Sequence, residues 1–312
     1  MRMKKIILLV SIACSAVLGV AQQDAMYTHY MFNTLAVNPG YAGSRDALTV
    51  TALHRSQWVG FDGAPTTQTL TIHSPVSSDK FGFGLSSVND QIGPINTFSA
   101  YADFAYRIAL GNQGSKLAFG FKGGLSMLSA NLRALETETA GDQAFNNNIE
   151  SQLLPNFGFG LYYSNSNWYV GLSIPRLLEN NYENNVVTGG TSLASEKRHY
   201  YMIAGYAWEL SESISLKPTT LVKMTNGAPL EVDLTAQVVF KNRFWVAPTW
   251  RSMESAGALV GFQFTDQLTA GYSFDWSFTN RTFVYNQGSH EIMLRYDFFF
   301  RDQKKILSPR YF

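Results

Sequence analysis

Histidine, serine and acidic side chains carry most hydrolytic and metal chemistry, and this 312-residue chain offers few useful arrangements of them. Its five histidines, His29, His54, His73, His199 and His290, show no His-x-x-x-His spacing, and the single cysteine, Cys14, lies near the start of the chain. Zinc and iron sites need several such ligands at defined spacing, so no metal and no cofactor is expected. Ser289-His290-Glu291 invites a hydrolase reading. Adjacent residues of a strand point to opposite faces, however, so Ser289 and His290 cannot form a nucleophile–base pair.

Two glycine-rich words, Phe81-Gly82-Phe83-Gly84 and Phe157-Gly158-Phe159-Gly160, superficially resemble phosphate loops. A phosphate loop opens a helix. Each of these words sits inside a strand pattern, with aromatics on one face and glycines on the other. There a glycine permits a bend or a close approach. No catalytic residue is assigned.

The elements that carry these residues follow a period of two. In 97–108, Phe98, Ala100, Ala102, Phe104, Tyr106 and Ile108 share one face, while Thr97, Ser99, Tyr101, Asp103 and Arg107 fall on the other. Successive side chains of a strand alternate in this way. A greasy face backed by a polar one is what a strand needs to separate lipid from water, and many such strands make a transmembrane β-barrel. About fourteen strands are legible: 46–56, 66–74, 80–90, 96–109, 115–128, 156–164, 167–174, 198–211, 213–225, 230–241, 243–252, 256–264, 267–278 and 289–301. The alternation is weak at 46–56 and at 243–252, where Trp245 breaks it. The predicted fold is an all-β, antiparallel barrel with a short N-terminal segment and a C-terminal tail.

Composition agrees. Charged residues are 15% and aromatics 14% of the chain, against a charged share of about a quarter in soluble domains. The start, with Arg2, Lys4 and Lys5 before an apolar run to Val20 and small residues at Gly19 and Ala21, reads as a secretory signal peptide spanning 1–21. Its loss takes the basic residues from 24 to 21 against 23 acids, a net charge of −2, which is no nucleic-acid footprint. The remainder, 22–312, is read as one barrel domain: 22–45 periplasmic or folded into the lumen as a plug, 46–301 the barrel, 302–312 a periplasmic tail.

Loop lengths supply orientation. The long stretches 129–155, 175–197 and 279–288 all follow odd strands, and the short turns at 165–167, 211–213 and 241–242 follow even ones. Bacterial barrels keep short turns in the periplasm and long loops outside, which puts both termini in the periplasm. The charges Asp103, Arg107, Lys122, Glu209, Lys217, Lys223, Glu231, Asp233, Asp275, Arg295 and Asp297 fall on lumen faces. Their mixed signs argue against a one-sign selectivity ring. They either pair across and fill the interior or line a wet channel.

The first third also carries a set of words in order: Tyr27-Thr28-His29-Tyr30-Met31-Phe32-Asn33, then Asn38-Pro39-Gly40-Tyr41-Ala42-Gly43-Ser44, then Arg55-Ser56-Gln57-Trp58-Val59-Gly60-Phe61, then Gly63-Ala64-Pro65-Thr66-Thr67-Gln68-Thr69. The far end adds Gly288-Ser289-His290-Glu291-Ile292 and Ser308-Pro309-Arg310-Tyr311-Phe312. In these the chain resembles the PorP/SprF family of outer-membrane proteins, associated with type IX secretion and gliding motility in Bacteroidetes. The resemblance implies a non-enzymatic accessory barrel that helps particular secreted proteins, often large adhesins with C-terminal targeting domains, cross or attach to the outer membrane. The implied partners are the secretion machinery, that cargo and the outer-membrane lipid. The candidate contact residues are Tyr27, Tyr30, Asn33, Asn38, Tyr41, Arg55, Gln57, Trp58, Lys304, Arg310, Tyr311 and Phe312. The alternative from a different class is a porin or small-molecule transporter.

Overall fold

A computed structural model describes residues 24–76, 80–111, 114–134, 148–182, 194–278 and 285–299. Fourteen strands close into an antiparallel barrel. They are β1 (Leu48–Ser56), β2 (Thr66–Val76), β3 (Phe81–Ile92), β4 (Ile95–Leu110), β5 (Ser115–Ala130), β6 (Ile149–Ser164) and β7 (Trp168–Ile174). Then come β8 (His199–Tyr206 continued by Trp208–Ser211), β9 (Ile214–Thr225), β10 (Glu231–Phe240), β11 (Phe244–Arg251), β12 (Ser255–Gln263), β13 (Leu268–Ser277) and β14 (Ser289–Phe298). Each strand pairs with its sequence neighbours, and β1 pairs with β14 to close the wall. A two-residue pairing of Asn181–Tyr182 with Ala194–Ser195 stands apart in the β7–β8 connection. Closure gives each of the fourteen strands a neighbour on both sides, which is what a sheet needs in lipid.

The alternation sorts as the sequence predicts. On β4, Ser99, Tyr101, Asp103, Ala105 and Arg107 are buried inward, while Phe98, Ala100, Ala102, Tyr106 and Ile108 are exposed on the outer wall. Ser289 faces inward and buried, His290 outward against the Tyr272 hydroxyl at 2.6 Å, so the two do diverge.

Three local expectations are corrected. β6 begins seven residues earlier than read, at Ile149, which shortens the predicted 129–155 loop. Pro155 hid it: β6 outruns β7 beyond the Phe159–Ile174 pair, and a proline is tolerated where no strand needs its missing N–H. The strand read as 198–211 is interrupted at Ala207, because Pro218 of β9 stands opposite the gap between the Gly205–Thr219 and Trp208–Leu216 pairs. Ala207 N–H turns instead to the Asn167 carbonyl.

The third correction concerns the ends. The connections after odd strands form one rim of the barrel, here the upper rim, and those after even strands form the lower rim. Asp24 contacts Arg176 and Tyr201 near the β7–β8 connection, at the upper rim. Arg45 pairs with Asp297 at the end of β14, at the lower rim. The intervening segment runs down the lumen, so Asp24 and Phe298 lie at opposite ends of the barrel, not on one side as read. The cause is the width of the barrel: eight strands leave an interior that side chains fill, whereas sixteen leave a channel. At fourteen the chain fills the hole with its own N-terminal segment. The predicted signal peptide, most polar residues of the 129–155 stretch, Asn184, Asn185 and the 302–312 tail lie outside the described residues.

Candidate functional site

The lumen segment is built from two short turns of helix, α1 (Thr34–Val37) and a 3-10 turn over Pro39–Tyr41, whose Asn38 side chain accepts the Gly40 N–H at 2.8 Å. Between Tyr27 and Gly43 every residue except Ala36 is buried. A plug of this kind presents backbone groups to a low-dielectric interior, and each needs a partner. The barrel supplies them: Ser173 Oγ donates to the Val37 carbonyl at 2.6 Å, Lys122 Nζ approaches the Leu35 carbonyl at 3.4 Å, and Arg107 donates to the Gly43 carbonyl. Asn38 Nδ2 in turn donates to the Leu161 carbonyl of β6 at 3.0 Å.

Three of the four glycines of the two FGFG words explain how the plug gets this close; the fourth, Gly158, stands against the Ile174–Pro175 backbone. A Cβ on Gly82 would overlap the Ala42 carbonyl, one on Gly84 would press on Leu35, and one on Gly160 would overlap the Asn38 side chain. Gly120, on the strand between the two words, stands against the Pro39–Gly40 peptide in the same way. These inward positions are small because the N-terminal segment of the same chain lies on them. Trp245, which broke the alternation, faces inward for the related reason that it packs on Phe32 of the plug at 5.4 Å, its indole over Gly261.

At the upper end the plug is locked by ions. Glu291 of β14 accepts the Thr28 and His29 backbone N–H groups at 2.9 and 2.7 Å, and His29 Nδ1 lies 2.7 Å from the same carboxylate. Arg55 of β1 donates to Thr28 Oγ1 at 2.7 Å, Asp275 of β13 at 2.8 Å and Glu291 at 3.3 Å. Thr28 Oγ1 donates to Asp275 at 2.5 Å. All these groups are buried. Other inward charges pair across neighbouring strands: Arg251 with Asp233 at 2.7 Å, Lys122 with Asp103 at 3.1 Å, Lys223 with Glu231 at 3.2 Å. Of the two readings left open for the lumen charges, the described residues support paired filling. Glu209, opposite buried Ser215, keeps the inward side but stands exposed on the short continuation of β8.

Of the twelve candidate contact residues, the structure brings six together inside the barrel. Tyr30 bonds Thr219 and Thr235 at 3.0 and 3.2 Å, Asn33 accepts from Thr71 at 3.1 Å, and Tyr27 accepts from Thr69 at 3.2 Å. Asn38 caps the 3-10 turn, Tyr41 packs edge-on against His73 and Tyr162, and Arg55 holds the lock. Gln57 and Trp58 stand in the β1–β2 connection, where Trp58 N–H donates to Ser289 Oγ at 3.1 Å and Val59 N–H to the Gly288 carbonyl. Lys304, Arg310, Tyr311 and Phe312 lie outside the described residues. Sequence reading missed the pairing of Thr28 and His29 with Asp275 and Glu291. The available signal was a buried-face arginine on the first strand with two acids at matching height on the last two.

The plugged barrel has known relatives in shape. It resembles the CymD monoaromatic hydrocarbon channel, with a TM-score of 0.51 at 10% identity over 90% of this chain and 95% of that one. It is also similar to the Ralstonia pickettii toluene transporter TbuX (TM-score 0.49, 8% identity, 91% and 97% covered) and to a Pseudomonas aeruginosa FadL homologue (0.45, 13%, 86% and 94%). The CymD likeness shows the fold, that of an outer-membrane barrel. No curated protein matches the chain. A sequence-family description, that of the type IX secretion system membrane protein PorP/SprF, matches residues 19–296 and so takes in both the plug words and the strands that lock them. The chain belongs to the PorP/SprF family of type IX secretion membrane proteins.

Proposed function

We propose that this protein is a non-enzymatic accessory barrel of type IX secretion, aiding export or surface attachment of specific secreted proteins, such as large adhesins, through protein contacts. The observation that carries the reading is the lumen: its own N-terminal segment crosses it from rim to rim, hydrogen-bonded and ion-paired to strands all around the wall. A barrel so filled offers rims and loops to partners and not a path for solutes. If the long connections face outward, the upper rim with Gln57 and Trp58 meets cargo at the cell surface. The lower rim and the 302–312 tail, with Lys304 and Arg310, then face the periplasmic machinery.

The test is affinity purification of the tagged protein from outer membranes in mild detergent after cross-linking, with mass spectrometry of what accompanies it. Secretion components or a large secreted protein should co-purify, and deletion of 302–312 should leave an assembled barrel that exports poorly. A barrel that is reproducibly partner-free would favour the small-molecule channel instead, a reading that requires the plug to leave.

A further inference from the structure

Most inward carboxylates of this barrel meet a cation. Glu291, Asp275, Asp233, Glu231, Asp103 and Glu196 each stand 3.6 Å or less from an arginine or lysine. Asp90 of β3 breaks the pattern. It accepts a hydrogen bond from Thr67 Oγ1 at 2.6 Å, and among the described residues no cation pairs with it. Its inward position places it in the wall of a cavity of about 110 Å³ between the plug, the upper halves of β3 and β4, and the β7–β8 connection. An engineered cavity of about 150 Å³ takes up benzene, so this one has room for the head of a side chain.

The cations that line the cavity are committed elsewhere. Arg176 is shared by Asp24 and Glu196, and Lys122 is held by Asp103 and by Ser86 Oγ at 2.9 Å. Lys197 is exposed, where water and salt screen it. A second acceptor in the same wall is short of donors. Glu196, 7% exposed, takes the Asn180 amide on Oε2 at 2.8 Å, while its Oε1 has no hydrogen-bond donor among the described residues.

Aromatic faces stand beside the unmatched acid. Thr67 and Thr69 are successive inward positions of β2; the first bonds Asp90 and the second the Tyr27 hydroxyl at 3.2 Å. Tyr101 also lines the cavity, with the Lys122 ammonium already 5.3 Å from its ring centre. A carboxylate beside tyrosine rings suits ammonium and guanidinium groups. A divalent metal needs several oxygens around one point, and among the described residues no three acids or histidines come close enough together. Asp90 lies two residues from the upper end of β3, roughly 7 Å along the strand. A lysine or arginine side chain spans that depth from a backbone lying across the rim.

We propose that this vestibule binds an organic cation, an alkylammonium or guanidinium group, with Asp90 as its counter-ion and the Tyr27 ring beside it. The depth of Asp90 suits a lysine or arginine of a polypeptide held at the upper rim. That source rests on the proposed role in export; the cation site itself does not.

The test uses the purified full-length barrel in detergent and saturation-transfer NMR. The probes are acetylated, amidated pentapeptides of glycine with lysine, arginine, norleucine or glutamate at the centre, together with free n-butylammonium. Lysine and arginine peptides should bind, with saturation strongest on the methylenes next to the charge, and norleucine and glutamate peptides should not. Asp90→Asn, close to isosteric, should weaken lysine binding about ten-fold or more, the usual weight of a hydrogen bond to a charged group. Lys197→Ala should leave binding equal or tighter, since a repelling charge is gone. Heat-modifiable migration verifies that both variants are assembled. Lysine binding that survives Asp90→Asn, or norleucine or glutamate binding equal to lysine, would overturn the site. So would lysine binding that Lys197→Ala weakens, or no binding by any of the cations. A lysine peptide that binds tighter than butylammonium supports the polypeptide source, whereas equal affinity gives the site to free amines. Failure of every cation to bind leaves the export reading standing, because co-purification tests that reading separately.

Discussion

His29 and Glu291, 262 positions apart in the chain, meet with Nδ1 and Oε1 at 2.7 Å inside the barrel. The same carboxylate accepts two backbone N–H groups of the plug and the Arg55 guanidinium. One acidic side chain on the last strand therefore ties together the entrance of the plug and the first strand. It does so at the seam where the barrel closes.

Arg55 is the cation that two buried carboxylates share. Arg55→Ala should destabilise the folded barrel by about 3–5 kcal/mol, the usual cost of leaving buried charge unpaired. Arg55→Lys should recover only part, since an ammonium lacks the guanidinium's rigid fork. Heat-modifiable migration on gels and calorimetry in detergent report the loss. Unfolding temperatures equal to wild type would show that the lock contributes no stability.

The glycine cradle makes a sterically clean prediction. Gly120→Val puts a branched side chain where the Pro39–Gly40 peptide lies, and a closed barrel wall cannot retreat without breaking its ladders. The plug should be displaced while the barrel stays assembled, so planar-bilayer conductance should rise from near zero to open steps. Gly123→Val, on the same strand but where a Cβ would meet only the Phe121 side chain, serves as a control for a bulkier residue away from the plug. A silent Gly120→Val barrel would mean that the plug shifts and still seals.

Orientation is testable because the only cysteine, Cys14, lies in the predicted signal peptide. Met253, well exposed on the β11–β12 connection, marks the upper rim, and Glu212 on the β8–β9 turn marks the lower. In intact cells a membrane-impermeant maleimide should label Met253→Cys and leave Glu212→Cys unlabelled. The reverse pattern would invert the proposed sides of cargo and machinery.

Much of this architecture was legible in the sequence. Alternation along β4, β5, β10 and β13 set the faces, and strand count with loop length set the closure, because both follow from period and connectivity. The plug was legible only as one of two readings of 22–45, for a physical reason. Residues 24–45 have no period of two, and their buried tyrosines and asparagines bond groups scattered over β2, β6, β7, β9 and β10, while Thr28 and His29 bond β13 and β14, partners that no local pattern links. The clues that pointed to it were anomalies: glycines in the FGFG words, and an inward Trp245. Gly82, Gly84, Gly160 and Trp245 make sense when the N-terminal segment is laid against the wall. The family words at 27–44, at Arg55 and at Glu291 meet at the joint between plug and barrel, which is why residues read as partner contacts lie inside the protein.

The central claim is that the barrel works with its plug in place. Asn33 and Thr71, whose side chains meet at 3.1 Å, give the most direct test. In cells carrying Asn33→Cys/Thr71→Cys, with disulfide formation verified by mass shift, the surface proteome is compared under oxidising and reducing conditions. Plug-locked cells should display secreted proteins at wild-type levels in both. Loss of surface cargo in the oxidised state, restored on reduction, would show that the plug must move and would contradict the account.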